Sequence, residues 1–91
     1  MNAAERREQL VPVVDAAQRV AGIVAARGRG DDAGARELLT SFGNESELAG
    51  GALLVAELSL GMLHRETGES LDDCVRDLCL HLESSLGHGP G

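Results

Sequence analysis

Residues 48–63 constrain the fold more than any other part of this sequence. On a helical wheel their apolar side chains cover most of the circumference, and only a narrow strip is polar or small: Gly50, Glu57, Gly61 and His64. A helix that is apolar nearly all round is normally covered on several sides. We therefore expect this segment to be the buried centre of the structure.

The remaining composition favours an all-α fold. Of the 91 residues, one is Phe and none is Tyr or Trp, whereas strands favour β-branched and aromatic side chains. Good helix formers such as Ala, Leu and Glu are abundant instead. A chain of this length makes one domain with a thin margin of stability. The sequence therefore predicts a small antiparallel helical bundle.

Helix start and stop signals divide the chain into four helices. Gly30 and Gly68 are typical of helix C-caps, and Asp31 or Asp32 of the N-cap that follows Gly30. Pro12 lacks an N–H and pushes the preceding residue out of the helical region, which predicts a break. The predicted helices span about 3–27 with a break near Pro12, 32–42, 45–66 and 71–86. Together they form a single domain over 1–86, followed by a flexible tail over 87–91.

Two further patterns predict how the third and fourth helices begin and how the third helix packs. Asn44 with Glu47, and Ser70 with Asp73, have the spacing of N-cap pairs. The Gly50-Gly51 pair lies inside the third helix, where each Gly costs about 1 kcal/mol relative to Ala. We expect the compensation to be a close approach by the backbone of a neighbouring helix.

The excess of apolar side chains predicts a homodimer, because four short helices cannot easily surround one of their own number. Side chains that lie off the main apolar stripes of their helices are candidate contacts, as is the polar strip of the third helix. The candidate interface residues are Val11, Ile23, Glu57, Gly61, His64 and Leu80. Glu57 has two interpretations: a solvated position, or an interface salt bridge to Arg19 or Arg27.

Charge excludes some partners. The formal net charge is −7, and it is concentrated in residues 37–91, where ten acids face two Arg. An acidic surface repels phosphates, which disfavours direct binding to nucleic acid or to an anionic membrane.

The start of the chain is charged and does not resemble a secretory signal, and residues 48–63 are too few for a spanning helix of ~20 residues. We expect a soluble cytoplasmic protein, and the use of Arg without Lys suggests a bacterial source with a GC-rich genome.

Cys74, Cys79 and His81 are poorly spaced for a metal site. On one helix, Cys74 and Cys79 lie about 140° apart around the axis, and Cys74 and His81 are separated by ~10.5 Å of rise. Ligand pairs on a helix are normally three or four residues apart. We expect reduced thiols that act as small core side chains, with no disulfide and no bound cofactor.

The stretch from His64 to Leu78 has the start and stop signals of a helix-turn-helix, with Gly68 at the turn and Ser70 as the N-cap of the second helix. However, its second helix presents Asp72, Asp73 and Asp77 against one Arg, and carboxylates are unsuited to a groove lined with phosphates. The corner of a helical hairpin is the favoured interpretation.

These patterns predict a non-enzymatic helical protein–protein interaction or regulatory accessory module. No glycine-rich phosphate loop or nucleophile–base–acid set is evident in the sequence. An alternative is an acidic inhibitor that mimics nucleic acid and binds a basic DNA-binding protein. A second alternative is a metal- or thiol-responsive regulator.

Overall fold

The computed structural model describes residues 2–87, and within them it contains four α-helices and no strand. The helices are α1 (Ala3–Gly28), α2 (Asp32–Thr40), α3 (Glu45–Thr67) and α4 (Leu71–Gly87). The prediction of an all-α chain with four helices is confirmed. Of the predicted tail over 87–91, Gly87 is the last residue of α4, and residues 88–91 lie outside the described part.

The described residues fall into two compact units, and the boundary lies inside α3, between Ala56 and Glu57. Unit 1 contains α1, α2 and the first half of α3. Unit 2 contains the second half of α3 and α4.

The first two helices begin and end where local chemistry predicts. The side chain of Asn2 accepts a hydrogen bond from the Glu5 N–H at the start of α1. Gly30 follows α1 with a φ of 78°, a left-handed conformation that glycine adopts without strain. The Asp31 carboxylate then accepts from the Gly34 N–H at 2.9 Å and caps α2.

The caps of α3 and α4 also match the prediction. The Asn44 side chain accepts from the Glu47 N–H at 2.8 Å, and the Ser70 hydroxyl accepts from the Asp73 N–H at 3.1 Å. Gly68, between the two helices, has a φ of 75°. At the corner from α3 to α4, Gly68 therefore ends one helix and Ser70 caps the start of the next, as expected.

The predicted break near Pro12 is wrong, because α1 runs through this residue without interruption. The fixed φ of proline is itself compatible with a helix; what is lost is the hydrogen bond to the carbonyl of Glu8. Both residues are exposed, so water is able to solvate that carbonyl.

The second helix is shorter than predicted. It ends at Thr40, two residues before its predicted end at residue 42. The Ser41 hydroxyl donates a hydrogen bond to the Leu38 carbonyl at 2.6 Å. This bond satisfies one of the free carbonyls at the helix end. Phe42, the last residue of the predicted helix, therefore lies outside α2.

The core of unit 1 is made of small side chains. α1 and α2 pack against each other, and Leu38 of α2 lies so close to Gly22 that a β-carbon there would be 3.0 Å from Leu38 Cδ1. The buried apolar residues of the unit are Ala16, Ala17, Val20, Ala26 and Ala35.

α3 meets α1 through backbone. A β-carbon on Gly51 would lie 2.7 Å from the carbonyl carbon of Ala16 and 2.8 Å from its oxygen. Gly50 has more room, with Val13 Cγ2 at 3.8 Å from the equivalent position. The prediction of a close backbone approach at the glycine pair is confirmed, and Gly51 is the residue that requires it.

The expectation that α3 forms the buried centre is wrong. Gly51 is its one buried residue, and Leu53, Leu58 and Met62 are more than half exposed. Apolar periodicity shows that a helix has apolar faces. It does not show whether the chain has enough neighbouring helices to cover those faces. α3 has 23 residues and is long and apolar enough to cross a membrane, judged by length and composition alone.

Candidate functional site

The best-connected polar side chain of unit 1 is Arg19. Its guanidinium donates to the Ser41 carbonyl at 3.1 Å, pairs with Asp15 at 2.9 Å and forms a short ion pair with Glu47. The ring of Phe42 lies 4.3 Å from the guanidinium carbon, within cation–π range. One side chain thus ties α1 to the segment that leads from α2 into α3.

Glu47 joins this cluster to the start of α3. One carboxylate oxygen accepts from Arg19 and the other accepts from the Gly43 N–H at 3.2 Å. The hydrogen bond from Arg19, followed by that from Gly43, holds the pKa of Glu47 below its ordinary value. The same pairing raises the pKa of Arg19. The sequence identified Glu47 as a capping residue but not as the partner of Arg19, which was assigned to Glu57 as one of two interpretations.

The two candidate interface residues of unit 1 have different surroundings. Val11 lies on an exposed face of α1 together with Leu10 and Val14. Ile23 is half-buried and lines a surface groove between α1 and α2 with Ala35 and Leu39. Val11 is therefore open to a partner, whereas part of Ile23 is already used within the unit.

The four candidate residues of unit 2 are also spread out. Glu57 and Leu80 are exposed, and Gly61 is half-buried. The His64 ring donates from Nδ1 to the Glu69 carbonyl, since a carbonyl oxygen only accepts. His64 therefore helps to close the corner between α3 and α4, a role that its position alone did not reveal.

Cys74 is the one buried residue of unit 2 among residues 57–87, at 1% exposure. Its sulfur lies 4.0 Å from the Thr67 hydroxyl, at the corner. Cys79 is exposed, so the expectation that both cysteines act as core side chains is confirmed for Cys74 and wrong for Cys79; both thiols are free. Within residues 2–87, no three His, Cys, Asp or Glu side chains lie close enough together to hold a metal ion.

An apolar stripe on α4 is open to solvent. Its members, spaced four, three and four residues apart, are between 39% and 59% exposed: Leu71, Val75, Leu78 and Leu82. We call these four residues the α4 stripe. Helical geometry places all four on one face of α4, and the described chain leaves that face about half exposed. The spacing is that of a coiled-coil seam.

Carboxylates crowd at the beginning of α4. The pKa of Glu69 is raised, first by the negative charge of Asp77 and by a hydrogen bond between the two side chains, then by partial burial and by Asp73. Arg76 neutralises one member of the group through its ion pair with Asp73 at 3.2 Å. The rest of this negative charge is left without an opposite charge nearby.

Glu47 and Glu69 should respond in opposite directions to loss of charge. Because the pKa of Glu47 is lowered in the folded chain, the Glu47 carboxylate stabilises the fold above about pH 4.3. This stabilisation is lost as the pH falls through the pKa of the folded state. Because the pKa of Glu69 is raised, stability is greatest below about pH 4.3 and falls as the pH rises through the folded pKa.

At neutral pH we therefore expect Glu47→Gln to lower the melting temperature and Glu69→Gln to raise it. Thermal unfolding followed by circular dichroism from pH 7 to pH 4 measures both changes. The Glu69→Gln difference should shrink as the pH falls towards 4. Shifts of the same sign at pH 7 would contradict the two assignments.

Comparison with protein families, curated proteins and solved structures gives no match.

Proposed function

We propose that this chain is a small helical interaction module that acts through self-association as a homodimer and has no catalytic activity of its own. The observation that carries the proposal is the distribution of apolar side chains. Fifteen large apolar residues are exposed among residues 2–87, whereas the buried core consists of four Ala, one Val and one Cys.

This distribution is costly for an isolated chain in water. Burying one Val, Leu or Met side chain fully contributes roughly 1.5–3 kcal/mol, and this chain leaves most of that free energy unused. Large contiguous apolar surfaces mark protein–protein or membrane contacts. A second copy presents the same surfaces in the same register, which makes it the simplest partner.

We place the module in the bacterial cytoplasm, where its two thiols stay reduced and where a further protein partner would be engaged by the assembled dimer. The support is compositional: two free cysteines and an acidic net charge of −7. On this proposal the dimer is the regulatory or accessory unit, and α3 is covered by protein.

Light scattering of the purified chain across a wide dilution series tests the proposal. We expect a dimer mass that persists at high salt, because apolar contacts are not screened as charges are. A clean monomer at the highest concentration would refute self-association. Co-flotation with neutral lipid vesicles would instead show that α3 is covered by a membrane.

A second candidate function is inhibition of a basic DNA-binding protein by mimicry of nucleic acid. It is favoured by the crowded carboxylates at Glu69, Asp73 and Asp77 and by the seven acids that face two Arg in residues 57–91. Such binding would weaken steeply as salt rises. The opposite salt responses of the two functions separate them.

A further inference from the structure

We infer that the α4 stripe is covered by the beginning of α1 from a second copy of this chain. The inference rests on the proposed self-association and names the two surfaces that meet. The start of α1 and the stripe of α4 are both exposed and apolar. The observation that supports their pairing is that the charges beside the two surfaces are opposite in sign.

The start of α1 separates its charges by face. Arg7 lies three and seven residues before Leu10 and Val14, and therefore on the same side of the helix, and Arg6 lies one turn before Leu10. Glu5 and Glu8 point to the other side. We call the face formed by Arg6, Arg7, Leu10, Val11 and Val14 the α1 arm face.

The α1 arm face has no partner within the described chain. Its three apolar residues are between 43% and 56% exposed. The four ion pairs found in residues 2–87 involve Arg19, Arg29 and Arg76 as cations, so the guanidinium groups of Arg6 and Arg7 are not paired.

One edge of the α4 stripe has a net negative charge: Asp72 and Glu83 lie on it on either side of Arg76, whose guanidinium is paired with Asp73. Asp72 lies next to Leu71 and three residues before Val75, at one edge of the stripe, and Glu83 lies at the same edge three turns later. Neither carboxylate forms an ion pair in the described chain. Because Glu69, Asp73 and Asp77 add to the negative charge at the beginning of α4, Arg6 and Arg7 are expected beside Asp72 rather than Glu83.

The lengths of the two surfaces are also compatible. From Arg6 to Val14 there are eight residue steps, or ~12 Å of helix, and from Leu71 to Leu82 there are eleven, or ~16.5 Å, so the stripe is long enough to receive the whole arm face. Reciprocal docking, in which each copy places its arm face on the other copy's stripe, gives a closed dimer in which both surfaces are used twice.

Two chains with reversed charges test this arrangement. The first carries Arg6→Glu with Arg7→Glu, and the second carries Asp72→Arg. Each alone places like charges at both contacts of its dimer, and we expect its dimer dissociation constant to rise about tenfold or more. An equal mixture should recover the wild-type constant to within about threefold, because the heterodimer has opposite charges at both contacts.

One matched control makes the mixing experiment decisive. Replacing Asp72→Arg with Glu83→Arg in the second chain should abolish the recovery, since the same charge change is moved ~16.5 Å along the same edge of α4. Sedimentation of the separate chains and of the mixture measures all of these constants.

The failure of this inference is distinguishable from failure of the proposed function. A wild-type dimer whose mixed variants do not recover would overturn the pairing of arm and stripe and leave self-association intact. Recovery with Glu83→Arg but not with Asp72→Arg would overturn the direction in which the arm lies. A wild-type chain that is monomeric throughout would overturn both.

Discussion

Replacing Gly51 with valine is expected to destabilise unit 1 by about 2–3 kcal/mol through overpacking. A β-carbon at this position would lie 2.7 Å from the carbonyl carbon of Ala16, and the neighbouring atoms belong to the backbone of α1. A flexible side chain could rotate away, but a helix backbone can relieve the contact only if α1 and α3 move apart. That movement would also loosen the packing around Ala16.

The adjacent glycine provides the matched control. A β-carbon on Gly50 would meet Val13 Cγ2 at 3.8 Å, an ordinary van der Waals contact. Gly50→Ala should therefore stabilise the chain by about 0.5–1 kcal/mol, because alanine loses less entropy in a helix. Urea unfolding at one protein concentration measures both variants. If both variants are more stable than the original chain, the close approach of α1 to α3 is not at Gly51.

The second large effect is expected on dimer formation, from a substitution at Leu78. Leu78 lies in the middle of the α4 stripe and is 42% exposed. Leu78→Glu would place a carboxylate in an apolar contact, where an unpaired charge is costly. We expect the dimer dissociation constant to rise about 100-fold or more, as for the central residues of other interfaces. The stability of the isolated chain should change little, because the side chain is already half in water.

Leu80→Glu is the control for this change. Leu80 is 55% exposed and lies about 200° around the helix from Leu78, beside polar residues rather than in a row of apolar ones. We expect Leu80→Glu to leave the dimer intact. Light scattering of the two variants at equal concentrations measures the difference, and dissociation by Leu80→Glu alone would move the interface to the opposite face of α4.

The parts of the fold that the sequence predicted well are those decided by chemistry within a few residues. Gly68 and Ser70 stop and start helices through bonds to their immediate neighbours, so their roles are visible in the sequence. The bonds that Arg19 makes to Ser41 and Glu47 cross 22 and 28 residues of chain. No local pattern selects Glu47 from the other acids, and the same holds for the ring of Phe42.

The burial of the apolar stripes could not be predicted for a different reason. The spacing of Leu71, Val75, Leu78 and Leu82 correctly places them on one face of α4, because helical geometry alone determines it. Which surface covers that face depends on the neighbours that are available, and periodicity contains no information about them. The same limit explains why α3, the most apolar helix, is largely exposed.

A core made of alanine and glycine also shapes how this chain is able to vary over generations. At Ala16, Ala26 and Gly51 the side chains are already among the smallest available, so almost every single-codon change there adds volume. We therefore expect the distance between α1 and α3 to tolerate few substitutions at Ala16 and Gly51, even though few atoms are involved. We expect divergence instead among the exposed leucines, where a substitution is present in every copy and a second substitution in the surface that contacts it restores the fit.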